Sequence, residues 1–268
     1  MTGTSRIAEI NSMEANRPDD IFFDGDFYES QFPYAFPGPD VPFWIGLAKQ
    51  FGPKVLELAC GTGRVTIPVF ESGVPVDGID FSESMLRLAR KHAASKSLKM
   101  NFLQGDLRSL PFRDEYDLMY LPTATIAHLL TRADVEAFLG GVRRGLHKCG
   151  ALAMDMHNPM QTFLKPWPFD PTGKERSFTH KGTGEVIRIL TTQEYSTDTQ
   201  ILQVKNHYTF ADGSTKEGSI VLRLYFPVDL QNLLHYNGFE VWQIHGDYGK
   251  GDFNSESERY VILAKPRE

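Results

Sequence analysis

The chain has 268 residues, of which 41% are hydrophobic, 23% charged and 12% aromatic, a globular composition that excludes a disordered or fibrous protein. Gly and Pro contribute 23 and 16 residues with no repeat period, so neither a collagen-like chain nor a repeat array fits. The formal charge of −6 is spread evenly, and basic runs stop at pairs such as Arg90-Lys91 and Arg143-Arg144, which argues against a nucleic-acid partner.

Two scattered cysteines, Cys60 and Cys149, point to a reducing compartment and are expected to be small buried residues. Residues 1–20 contain no apolar leader core, and no stretch approaches the roughly 18 apolar residues of a membrane span. The expectation is a soluble, cytoplasmic protein without a membrane partner.

In chain order, VLELA (55–59) is an apolar strand ending in the turn Gly61-Thr62-Gly63, and a helix follows with Pro68 near its start. VPVDGID (74–80) is a second strand, after which Ser82 caps a helix whose Met85, Leu86 and Ala89 share an apolar face. MNFLQGD (100–106) and YDLMYLP (116–122) are further strands. Thr131 to His147 is an amphipathic helix with Thr131 and Asp134 at capping-box spacing, and ALAMDMH (151–157) follows the Cys149-Gly150 break as a fifth strand. Strands apolar on both faces, alternating with helices, indicate an α/β fold: a doubly wound, mostly parallel sheet.

The pattern then changes to two-residue alternation over 185–226, in the stretches EVIRILTTQEY, QILQVKNHYTF and SIVLRLYF, with Ala-Asp-Gly-Ser as a hairpin turn. An antiparallel β insertion over about 175–226 is therefore expected late in the domain. A short helix (229–236) stops at Asn237-Gly238, and FEVWQIH and RYVILAK resume strand character. Residues 1–40 carry Phe22, Phe23, Phe27, Tyr28, Phe32, Tyr34 and Phe36 without a clean period. They are either an aromatic lid over a cleft or an arm packed on the domain of 41–268.

Chemistry concentrates at the strand ends. In VLELACGTG, Glu57 precedes a Gly-x-Gly turn whose exposed N–H groups and close backbone approach suit a polar ligand. The third small residue of a dinucleotide fingerprint is absent, since Thr66 stands there, and Glu57 would repel a pyrophosphate but attract an ammonium. Asp80, 19 positions after Gly61, stands where a carboxylate accepts ribose hydroxyls, and Asp106 stands where it could reach an adenine amino group.

The series ELACGTG, GIDFSESML, QGDLRSLPF and YDLMYLPTATIAHL resembles the class I S-adenosylmethionine-dependent methyltransferases over about residues 50–160. The resemblance implies a seven-stranded Rossmann-like sheet and S-adenosyl-L-methionine as cofactor. It implies that Gly61 and Gly63 pass beneath the methionine part, Glu57 supports the loop and amino group, Asp80 holds the ribose, and Asp106, Leu107 and Met85 lie by the adenine. The Leu121-Pro122-Thr123-Ala124 sequence departs from the Asn/Asp-Pro-Pro-Tyr/Phe motif of nucleic-acid amino methyltransferases.

The segment TATIAHL, the late insertion and the C-terminal strands look like bacterial small-molecule methyltransferases, including amino-sugar N-methyltransferases. That resemblance implies a small-molecule acceptor, most simply an amine, with His128 and Tyr28 beside it and the insertion over it. Methyl transfer from a sulfonium needs alignment and a route for the acceptor proton, so His128 is the preferred base and His157 its competitor. Tyr34 and Tyr225 are candidates to orient the acceptor. O- or C-methylation, or cofactor binding without catalysis, are the alternatives. Asp155 and Asn158 alone make a poor metal site, and no metal is expected.

Overall fold

In the computed structural model, residues 24–32, 38–165 and 172–267 are described. Six α-helices among them are α1 (Gly25–Gln31), α2 (Val41–Phe51), α3 (Thr66–Glu71), α4 (Glu83–Ser95), α5 (Arg132–Gly145) and α6 (Pro227–Tyr236). The strands are β1 (Val55–Leu58), β2 (Val76–Asp80), β3 (Phe102–Gln104), β4 (Tyr116–Leu121), β5 (Leu146–His157), β6 (Lys174–Thr179), β7 (Val186–Ser196), β8 (Ile201–Thr209), β9 (Thr215–Arg223), β10 (Phe239–His245) and β11 (Arg259–Pro266).

Seven of them form one sheet in the order β10-β11-β5-β4-β1-β2-β3. Only β11 runs against its neighbours, β5 and β10. The doubly wound, mostly parallel sheet expected from the sequence is present. β1 pairs in parallel with both β2 and β4, so the strand order reverses beside it. Open α/β sheets bind ligands beyond the carboxyl ends of the strands at such a point.

Alternation along β4 divides the core. Leu118 and Tyr120 face the cluster built by Trp44 and Leu47 of α2, whereas Met119 and Leu121 face Phe138 and Leu139 of α5. Both faces are buried, which explains the unbroken apolar run of that strand. The Thr131 capping box is complete: the Thr131 hydroxyl accepts the Asp134 N–H at 3.1 Å, and the Asp134 carboxylate accepts the Thr131 N–H at 3.1 Å. Thr131→Ala should lower stability by about 1 kcal/mol, read as a small drop in the midpoint of thermal unfolding.

Some boundaries differ from the sequence reading. α5 stops at Gly145 and β5 begins at Leu146, so there is no break at Cys149-Gly150. Instead the pairing with β4 shifts register between Tyr116 and Leu118, and an added Cβ at Gly150 would lie 3.0 Å from the Tyr116 carbonyl oxygen. Glycine is needed there for close approach rather than for a turn. Cys60 is buried as expected, but Cys149 is exposed, in the stretch of β5 beside that register shift.

The insertion is a four-stranded antiparallel sheet in the order β6-β7-β8-β9. Three strands match the alternating stretches, and β6, whose residues are mostly exposed, carries no such alternation. The arm packs on this sheet. Tyr208 donates its hydroxyl to Gln31 at 2.9 Å, the Lys181 N–H reaches the Ser30 hydroxyl at 2.8 Å, and Phe27 meets Phe178 and Tyr208 edge-on. Phe22, Phe23, Tyr34 and Phe36 lie outside the described residues. No described helix is long and apolar enough to cross a membrane.

Candidate active site

A cavity of about 420 Å3 opens at the carboxyl ends of the parallel strands, walled by the glycine turn, the ends of β2, β4 and β5, the arm and β9. At the turn, Ala59, Gly61 and Gly63 all have left-handed backbone, with φ of 52°, 55° and 84°. A Cβ added at Gly61 would meet nothing within 4 Å, so this glycine opens into the cavity wall. At Gly63 it would come within 2.9 Å of Ile67, and Gly63 is not among the wall residues. Gly63 thus serves the packing of the turn on α3 and α4.

Glu57 reaches the cavity from the centre of β1 and is otherwise enclosed. Burial pushes its carboxyl up to about 8, against the hydrogen bond from Tyr120. Tyr120 donates to it at 2.9 Å and stacks on Trp44. The Trp44 indole donates to buried Asp40, which holds Arg64 through two bonds of 2.7 and 2.8 Å. Burial opposes ionisation of Asp40, but the Arg64 guanidinium more than offsets it and keeps the carboxyl low. Arg64 also donates to Thr123 at 3.1 Å, tying the glycine turn to the loop after β4.

Asp80 ends β2, where its two carboxylate oxygens accept the N–H groups of Gly61 at 2.8 Å and Ser82 at 2.9 Å. Burial raises its pKa and these backbone bonds oppose the rise. A carboxylate oxygen can accept two hydrogen bonds, and Asp80 lines the cavity. Phe81 and Met85 line the same wall, as do Asp106 and Leu107. The Asp106 carboxylate is turned back on its own short helix: it caps Arg108 and pairs with the Arg108 guanidinium at 2.7 Å.

After β4, Thr123 and Ala124 are both left-handed, with φ of 66° and 55°. Such backbone at non-glycine positions costs on the order of 1–3 kcal/mol and survives where its surroundings hold it. Here the Ala124 N–H reaches buried Asp155 at 3.4 Å, and Asp155 also accepts the Tyr248 hydroxyl at 2.8 Å. Asn158 bonds the Ser257 carbonyl. These two residues are structural ties, and among the described residues no group of three His, Cys, Asp or Glu is placed to hold a metal ion.

The 3-10 turn Thr125–His128 then carries His128 to the cavity wall. His157 reaches the wall from the end of β5, edge-on to Phe163, and burial together with Arg259 lowers its pKa. Tyr28 lines the wall from α1. Tyr225 does not, since it is buried and donates to the Leu129 carbonyl. Residues 28, 57, 61, 80, 85, 106, 107 and 128 therefore share one cavity, which Gly63 only supports from behind. Sequence reasoning missed Arg64, Asp40 and Phe81. A cation inside a glycine turn was the available signal for the first, and Phe81 directly follows Asp80.

Residues 55–150 match a family model described as a methyltransferase domain. The matched stretch runs from the start of β1 into β5. Over 115 residues the chain is 36% identical to the demethylmenaquinone methyltransferase of Thermus thermophilus, covering 41% of this chain and 50% of that protein. The chain spans about half the length of the curated relatives it matches. Among solved structures, the CcbJ methyltransferase of Streptomyces caelestis superposes with a TM-score of 0.74 at 21% identity, over 93% of this chain and 99% of that one. CalS10, an amino pentose methyltransferase from Micromonospora echinaspora with S-adenosylmethionine bound, has a TM-score of 0.60 at 17% identity, over 85% and 89% of the two chains. The chain thus shares the fold of these solved structures, and its cavity lies at the strand ends where such sheets bind ligands.

Proposed function

We propose that the protein transfers the methyl group of S-adenosylmethionine to a nitrogen of a small-molecule amine. The observation that carries this reading is one cavity joining Glu57, Gly61 and Asp80 at one end to His128, His157 and Tyr28. The residues fit the cofactor. Gly61 leaves room that a Cβ would fill, buried Glu57 suits an ammonium group, and Asp80 keeps acceptor sites for a ribose. When bound, S-adenosylmethionine supplies an electrophilic methyl on a sulfonium.

The chain's own residues then align the acceptor, exclude water and receive its proton. His128 is the proposed base, on a turn anchored by strained backbone just before it. A nitrogen acceptor agrees with the amino pentose named for CalS10. O-methylation is the second reading, favoured by His157 on the same wall, whose pKa burial and Arg259 lower, which favours the neutral imidazole that takes up a hydroxyl proton. Incubation with methyl-labelled S-adenosylmethionine and a metabolite extract tests both. A labelled product bearing N-methyl is expected, an O-methyl product supports the second reading, and no labelled product refutes catalysis.

Cofactor affinity should also depend on pH. In the free pocket burial raises Glu57 to about 8, so below that pH a cationic ligand must displace a proton to meet a carboxylate. The sign follows: affinity falls with decreasing pH, by as much as about tenfold per unit. Calorimetry across this range should show the slope in the native protein and its loss in Glu57→Gln.

A further inference from the structure

We infer that the acceptor is a molecule with a hydrocarbon face and no anionic substituent, an inference that rests on the methyl-transfer reading above. The arm and the insertion compose this part of the wall. β9 turns Ile220 and Leu222 to the cavity, two residues apart and so on one face of the strand, and Leu224 continues the row just beyond its end. The alternate residue, Arg223, points away and bonds the carbonyls of Leu130 and Thr199. Met156 and Phe163 add apolar surface from the end of β5 and the turn after it.

The cations lining the cavity are already paired within the protein. Arg64 is held by Asp40, Arg108 by Asp106 and Asp134, and Lys181 by Glu29 at 3.4 Å. Glu57 and Asp80 belong to the cofactor end. A carboxylate or phosphate on the acceptor would meet only lining cations that already hold a carboxylate, and drawing Arg64 off buried Asp40, whose side chain is 6% exposed, is costly. A polyhydroxylated acceptor would lose water along the Ile220-Leu222-Leu224 row without gaining hydrogen bonds there. An alkyl or aryl face fits the row, and polar groups elsewhere on the wall, His128, His157 and Tyr28 among them, are left to orient the nucleophile.

The test measures binding to the full chain saturated with S-adenosylhomocysteine, using three amines as probes. Para-butylaniline is expected to bind at least about tenfold more tightly than para-aminobenzoate or glucosamine, a tenfold step in dissociation constant being readily resolved by calorimetry. Leu222→Asp should abolish that preference while leaving S-adenosylhomocysteine affinity unchanged. Equal or tighter binding of para-aminobenzoate or glucosamine, or no binding of para-butylaniline, overturns the inference. Failure of the native protein to bind S-adenosylhomocysteine overturns the methyl-transfer reading itself.

Discussion

Replacing His128 by alanine should leave cofactor affinity unchanged and lower turnover by roughly 10²–10⁴-fold, the usual contribution of a positioned general base. His128 ends the 3-10 turn that follows β4 and lies on the wall of the cavity that also contains Glu57 and Asp80. The backbone entering this turn is held by the Arg64 bond to Thr123 and the Asp155 bond to Ala124. The imidazole is thereby positioned at small entropic cost, as catalysis by alignment requires. Steady-state kinetics across pH reads the outcome. Loss of a limb of the pH profile together with the large drop supports a base, a modest pH-independent loss leaves His128 only orienting the acceptor, and full activity transfers the role to His157.

Asp80→Ala should weaken binding of S-adenosylmethionine by roughly 1–3 kcal/mol, because ligand hydroxyls lose an acceptor. It should also destabilise the empty protein, since the N–H groups of Gly61 and Ser82 lose their partner in a nearly closed environment. The two effects separate by experiment: calorimetry reads the affinity, and denaturant unfolding without ligand reads the stability. Unchanged affinity beside lowered stability would leave Asp80 as a brace of the glycine turn alone.

Much of the fold was legible because its signals are local. The Ser82 cap, the Thr131-Asp134 box and the apolar runs of β1 and β4 each follow from neighbouring residues, and the structure forms all of them. Glu57 inside β1, Asp80 at the end of β2 and Asp106 just after β3 stood out for the same reason, as acids set in or beside short apolar runs. What escaped depends on partners far along the chain. Asp40 and Arg64 are 24 residues apart, and nothing in either segment announces that they meet. Gly63 reads like Gly61 in sequence, but the helices behind it decide its role. Asp106 lines the cavity as expected of a residue beside an adenine, but its pairing with Arg108 two residues later was not foreseen. Likewise β6 has no alternating burial to betray it, because its residues stay mostly exposed when paired.

The antiparallel sheet enters the chain as one uninterrupted stretch between β5 and α6, and its last strand is fastened to the turn carrying His128 through Arg223 and Leu130. The parallel strands that shape the cofactor end take no hydrogen-bonded strand pairing from it. An evolving lineage can therefore rewrite the face of β9, or exchange the whole meander, and acquire a new substrate while β1, β2 and their turn remain under unaltered selection. In such a molecule diversification is a matter of grafting, and the graft arrives already connected to the residue proposed to accept the proton.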